Sequence, residues 1–292
     1  MNQFEVLFQK YHCDLQDSFV QQEVESILKA HFNENNTKEV YERCFSLIDL
    51  TSLNSTDTEA QITGMTNKVN QFQVNFPGLP HVGAICVYPS MVAVVKKNLV
   101  PKIGIASVAA GFPSSQTFIE VKIAETSMAV MEGASEIDVV ISIGKFLSGE
   151  YEEVREELQE IKDACRGSHL KVIIESGALG SAANIKKASV LAMSSGADFI
   201  KTSTGKMPVA ATPEATYIMC TAIKEWHEQT GEKIGYKPAG GIVTTEDAVK
   251  HYTLVKEILG EEWLNNKLFR IGASRLANNL LSDITNQQVS YF

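Results

Sequence analysis

Two lysines and a carboxylate stand where a core would normally exclude them. Lys201 ends a short apolar run, Asp198-Phe199-Ile200-Lys201, and is followed by a loop of small residues, Thr202-Ser203-Thr204-Gly205-Lys206. Lys237 ends a second such run and is held extended by the proline of Lys237-Pro238-Ala239-Gly240-Gly241. In Glu136-Ile137-Asp138-Val139-Val140-Ile141, strand alternation sets Asp138 and Val140 on one face and Val139 and Ile141 on the other. A lone buried carboxylate is costly, so Asp138 is expected to have a partner. A lysine near pKa 10.4 is almost wholly protonated at neutral pH, and a nucleophilic amine needs a downward shift of about three units, or about 4 kcal/mol. A like charge ~4 Å away supplies about that much at an effective dielectric of ~20. Lys237 is therefore read as the group that activates Lys201, with burial of Lys201 pushing the same way. The chemistry implied is attack of an amine on a carbonyl to give a Schiff base.

A second constellation suits an anion. Gly205 and Lys206, Gly240 and Gly241, and Gly272 with Ser274 lie in loops that follow three successive apolar runs. Small residues there let backbone N–H groups approach a phosphate, and a helix starting near Ser274 adds its positive end. A Walker loop is excluded, since position 200 is Ile where Gly is required and Lys206 precedes Met207.

Positioning these residues requires strands that all point the same way. Runs of strand type fall at 45–50, 82–87, 103–108, 136–141, 170–174, 198–202, 234–238 and 268–272, each followed by turn residues and helix-type sequence. Eight strands alternating with helices predict an α/β fold, a (β/α)8 TIM barrel whose active side chains sit at the C-terminal strand ends. Thr117-x-x-Glu120 and Thr244 to Asp247 are read as helix starts, as is Thr212 with Pro213 behind it. Glu152, Glu153, Glu156 and Glu157 read as one solvated face. The division expected is an N-terminal helical extension over 1–40, carrying Val20, Val24, Ile27, Leu28 and His31 at helical spacing, a barrel over 41–285 and a tail over 286–292.

Composition narrows the setting. At 292 residues, with 44% hydrophobic and 21% charged residues, the chain supports a sizeable core. A net charge of −9 argues against nucleic acid or anionic membrane as a partner. Five cysteines without a CxxC pair fit a reducing compartment, and with no signal peptide or membrane span a cytoplasmic location is expected. His12-Cys13-Asp14 does not converge on one metal, and the six histidines are scattered, so no metal site is expected. Cys86 lies on the same face as Val82 and Ala84, and has two readings. It is either a small core residue or a thiol at the barrel mouth, lowered in pKa by the lysines and open to attack by aldehydes.

Assembled, the motifs Ile48-Asp49-Leu50-Thr51-Ser52-Leu53, Ala84-Ile85-Cys86-Val87-Tyr88-Pro89, Glu136 to Val140, Phe199 to Lys206, Lys237 to Gly241 and Arg270-Ile271-Gly272-Ala273-Ser274 resemble the deoxyribose-phosphate aldolase family over about 45–275. The resemblance implies a class I aldolase that cleaves 2-deoxy-D-ribose 5-phosphate reversibly to D-glyceraldehyde 3-phosphate and acetaldehyde, with no metal or organic cofactor. It implies Lys201 as the Schiff-base lysine, Lys237 as the lysine that lowers its pKa, Asp138 as the carboxylate of a proton relay and Asp49 as a group that places Lys237. The chain departs from the family pattern at Ala178, where a carboxylate is usual, at Arg275, where a second hydroxyl is usual, and at Tyr291, which is penultimate rather than final. Phosphosugar and small aldehydes are the implied partners, and a homo-oligomer is compatible with the sequence. Two other readings stay open: a transaldolase-like Schiff-base enzyme, which has no need of the second lysine, and a non-catalytic phosphosugar-binding barrel.

Overall fold

Ile48–Thr51 (β1), Ala84–Val87 (β2), Gly104–Ala109 (β3), Glu136–Val140 (β4), His169–Ile173 (β5), Phe199–Lys201 (β6), Gly235–Lys237 (β7) and Ile271–Ala273 (β8) form one sheet in the computed structural model, which describes residues 2–292. Each strand from β1 to β6 pairs in parallel with the next, and β8 pairs in parallel with β1. Bridges from Tyr236 to Phe269 and from Ala239 to Gly272 join β7 to the last strand and close the barrel. The fold is a (β/α)8 barrel, as the eight repeats predicted.

The strands form because their outward residues are branched or aromatic and bury against a ring of helices. Ile137, Val139, Val172, Ile200 and Tyr236 all join the core between sheet and helices. Asp138 has the opposite parity and points into the barrel, where its partners are. The helix Pro213–Thr230 starts as predicted, with the Thr212 hydroxyl accepting from the Ala215 N–H at 3.1 Å. Thr244 and Asp247 form a reciprocal capping box at the head of Thr245–Leu259.

Three expectations are corrected. The first strand starts at Ile48 rather than 45, because Phe45 ends a helix, Lys38–Ser46, whose apolar face also carries Val40 and Cys44, and stacks on Phe72 at 4.9 Å. Thr117 does not cap the helix Ile119–Met131; Phe118 holds the cap position without a side-chain bond, and the Thr117 methyl lies over Gly111. Glu157 is not part of a solvated face. It accepts from the buried Lys122 at 2.9 Å and from the Ser142 hydroxyl at 2.6 Å, so it pins the helix Tyr151–Ala164 to its neighbours.

Ahead of the barrel run the helices Gln3–Lys10 (α1), Asp17–Asn35 (α2) and Lys38–Ser46 (α3). The helical spacing at Val20 and Val24 is borne out in α2, which packs on the helices that follow β6 and β7, so this segment lies on the flank of the barrel. α3 runs across position 40. The last helix, Arg275–Thr285, leaves the final residues as a docked tail, in which the Asn278 carboxamide binds the backbone of both Tyr291 and Phe292. No helix among the described residues is long and apolar enough to cross a membrane.

Candidate active site

The strand register brings the predicted ionisable residues together. Lys201 and Lys237 are Cα partners across β6 and β7, and Asp138 is the partner of Lys171 across β4 and β5. Asp138 lies at the hub. Its Oδ2 accepts from Lys201 at 2.7 Å and from Lys237 at 2.8 Å, while its Oδ1 accepts from Lys171 at 3.1 Å. Lys237 also donates to Asp49. Gly272, next to Asp49 in register, makes room for this arrangement, since a Cβ there would lie 2.7 Å from the Ala239 methyl and 3.2 Å from Cε of Lys237.

Sequence reasoning left three members of this cluster without a role. Lys171 also donates to Glu136, and Arg270 spans Asp49 at 2.6 Å and Glu136 at 2.8 Å. All seven side chains are buried. The signal was present, since Glu136 shares the face of Asp138 two residues away and Lys171 has the parity opposite to Leu170 and Val172.

Burial at these sites opposes charge, and the ion pairs decide the outcome residue by residue. For Asp138, burial raises the pKa, but Lys171, Lys201 and Lys237 outweigh it and hold the carboxyl well below its usual range. For Lys237, burial lowers the pKa, but Asp138 and Asp49 prevail, and it stays a cation. Lys201 is the exception. Burial lowers it first, Asp138 pulls it back, and the neighbouring Lys237 charge lowers it again, leaving it below an ordinary lysine. The sequence reading gave Lys237 the leading part in this shift. In the structure burial leads and Lys237 adds to it.

Lys201 is also the one member of the cluster that opens on the cavity at the strand ends, a space of about 640 Å³. Its far wall carries Gly205, Lys206, Gly240, Gly241, Gly272 and Ser274, the residues predicted for an anion. Gly240 has φ 83° and approaches Gly205 so closely that a Cβ would lie 2.8 Å from the Gly205 Cα, which places two loop backbones side by side. Lys206 reaches across to the Leu53 carbonyl at 2.5 Å, and Ser274 opens the last helix with no side-chain cap on its first turn. Arg275 lines the same wall, so the departure at this position adds a cation where an anion would sit. Glu175, in a left-handed conformation at φ 51°, accepts from the Thr204 N–H and hydroxyl and so fixes the loop after Lys201.

One expectation changes here. Cys86 faces the barrel interior among Leu53, Ala106 and Val108, yet it is fully buried and does not line the cavity. Burial pushes its thiol up, and the lysine charges do not reverse this, so the lowered pKa read from the sequence is wrong. Tyr291 turns its hydroxyl to the Lys68 carbonyl at 2.7 Å and to Asn75 at 3.1 Å, and Phe292 rather than Tyr291 reaches the cavity wall. Among the described residues one group of potential metal ligands comes together, His31, Glu34 and Glu257. Its two ring nitrogens turn to different carboxylates, Nδ1 to Glu34 at 3.0 Å and Nε2 to Glu257 at 3.6 Å, and none of the three lines the cavity.

Comparison with known proteins places the chain among aldolases. The Homo sapiens deoxyribose-phosphate aldolase is 42% identical over 257 residues, 84% of this chain and 79% of the human one. The Mus musculus deoxyribose-phosphate aldolase is likewise 42% identical over 257 residues, with the same coverage of 84% and 79%. Among solved structures, the tetrameric deoxyribose phosphate aldolase of Aeropyrum pernix shares the fold at a TM-score of 0.67, with 24% identity over 88% of this chain and 96% of that one. The family model described as DeoC/LacD family aldolase matches residues 44–257, which take in β1 to β7 and every cluster member except Arg270. With a match over most of the barrel and relatives at this identity, the chain belongs to the DeoC/LacD family of aldolases.

Proposed function

We propose that this protein catalyses the reversible cleavage of 2-deoxy-D-ribose 5-phosphate to D-glyceraldehyde 3-phosphate and acetaldehyde through a Schiff base on Lys201. The observation that carries the reading is the position of Lys201, the only buried-cluster amine on the cavity wall and the only one held below its ordinary pKa. In this reading the neutral amine adds to C1 of the open-chain sugar, and loss of water gives an iminium. Removal of the proton on the 3-hydroxyl breaks the C2–C3 bond, releases glyceraldehyde 3-phosphate and sends the electron pair into the iminium as an enamine. Protonation at C2 and hydrolysis then return acetaldehyde and the amine. Asp138, 2.7 Å from the Lys201 amine, moves protons with a water at the carbinolamine and the 3-hydroxyl. Lys237 stays charged and keeps Lys201 from regaining its proton, and Asp49 fixes Lys237. Borohydride reduction with acetaldehyde, followed by peptide mapping, tests this directly. A two-carbon adduct on Lys201 is expected; no adduct would favour a barrel that only binds phosphosugars, and an adduct elsewhere would move the site.

The small-residue loops take the phosphate in this reading, with Lys206, Ser274 and the backbone of Gly205, Gly240, Gly241 and Gly272 as its partners. A hydrogen bond to a charged group contributes about 1.5–3 kcal/mol. Lys206→Ala and Ser274→Ala are therefore each expected to raise KM for 2-deoxyribose 5-phosphate by about tenfold or more, with little change for free deoxyribose. Steady-state kinetics on both sugars measures this, and equal effects on the two would put the phosphate elsewhere.

A further inference from the structure

The buried cluster is uneven in charge. Four cationic side chains, Lys171, Lys201, Lys237 and Arg270, face three carboxylates, Asp49, Glu136 and Asp138. Lys171 contacts Glu136 and Asp138, with Asp49 farther off at 3.9 Å, Lys237 contacts Asp49 and Asp138, and Arg270 contacts Asp49 and Glu136. Lys201 has Asp138 alone, and shares its Oδ2 with Lys237. Glu175, on the loop after β5, is engaged by Thr204. Of the remaining polar groups, Cys86 on β2 is an un-ionised thiol, and Lys206 is turned to the Leu53 carbonyl. An arginine does not give up its proton in a protein. Excess positive charge in so dry a place is costly, and the amine with the fewest partners is the one that sheds it.

We propose that Arg270, which does not line the substrate cavity, is the positioning residue that keeps Lys201 in its amine form, by occupying Asp49 and Glu136 so that too few carboxylates remain to hold every lysine as a cation. The pair Arg270 and Glu136 is built into the barrel. Both oxygens of Glu136 meet the guanidinium, at 2.8 and 3.3 Å, and a Cβ at Gly104 on β3 would lie 2.5 Å from Glu136 Oε1, so the carboxylate occupies space that only glycine leaves free. With Arg270 removed, Asp49 turns wholly to Lys237 and Glu136 to Lys171, and Asp138 is released to stabilise a protonated Lys201. Lys237 is the nearer influence on Lys201, but it brings Asp49 with it. Arg270 is what makes the cations outnumber the anions.

This inference rests on the Schiff-base reading of Lys201, and the test separates the two. The pH dependence of reductive methylation at Lys201, with formaldehyde and cyanoborohydride on the full chain and peptide mass spectrometry, reads the amine pKa without turnover. The acid limb of kcat/KM reads it in catalysis. Arg270→Met is expected to raise both by about one pH unit or more. Glu136→Gln, which leaves two excess cations, is expected to lower the Lys201 pKa, and carries the test if Arg270→Met does not fold. The double variant Glu136→Gln/Arg270→Met restores an excess of one cation and is expected to return the pKa to within about 0.3 unit of the parent. An unmoved Lys201 pKa in the single variants, or a double variant no closer to the parent than the singles, overturns the proposal, because a purely structural pair has no reason to recover on double neutralisation. Absence of the acetaldehyde adduct in the parent protein would remove the Schiff-base reading instead, while the methylation profile would still report the charge effect.

Discussion

Lys201→Met is expected to lower cleavage of 2-deoxyribose 5-phosphate by roughly four orders of magnitude or more, and to abolish trapping by acetaldehyde and borohydride. No other amine of the cluster can take over. Lys171 and Lys237 are each engaged by two carboxylates, and neither lines the cavity. Lys206 does line it, but it stands among the loops proposed for phosphate. The substitution removes the amine that the cluster supports least as a cation and keeps the volume of an unbranched side chain, so the variant is expected to be at least as stable as the parent in thermal unfolding. Loss of activity with an unchanged or higher Tm would mark Lys201 as chemical rather than structural. Residual activity within tenfold of the parent would refute its role as nucleophile. The parent pH profile carries a sign as well. Because Lys201 is held below its ordinary value of about 10.4, its amine fraction and the rate rise with pH along a limb centred below that value.

Much of this site was legible because a barrel ties chemistry to parity. In β4, a period of two is enough to send Asp138 inward while Val139 faces the helices, and lysines at the ends of β6 and β7 had to meet at one level. The same rule applied to Glu136 and Lys171, yet their role depended on Arg270, which lies just ahead of β8 and meets them only when the barrel closes. Charge count is a property of that closure, and no single strand displays it. Cys86 shows the opposite limit. Its face was correct, but whether a thiol among lysines is lowered or raised depends on how much water reaches it, and full burial decided against the charges. Phe45 reads as strand because a short apolar run looks alike in either structure, and Thr37, whose hydroxyl caps the helix Lys38–Ser46, is the sign that points the other way.

Asp138→Asn is expected to have the second large effect, on stability and turnover together. The carboxylate accepts from three lysines, and its removal leaves four cations to share two carboxylates. Breaking a buried ion pair by removing one partner costs about 3–5 kcal/mol. The lysines depress the Asp138 pKa, so its stabilisation is present above its unfolded value of about 3.9 and is lost as pH falls toward the folded value. The difference in unfolding free energy between parent and variant is therefore expected to be full near neutrality and to shrink below about pH 4. Turnover is expected to fall by about a thousandfold, the usual range for loss of a proton-transfer group. The two roles of Asp138 can be told apart at Lys201. With its only carboxylate gone, the amine is more readily neutral, so the acetaldehyde adduct should still accumulate, though more slowly because dehydration of the carbinolamine loses its proton carrier, while proton transfer at the 3-hydroxyl fails and cleavage falls. An Asp138→Asn variant that forms the adduct but does not turn over would fit a relay. One that turns over within tenfold of the parent, at a temperature where it stays folded, would assign Asp138 to holding the lysines alone.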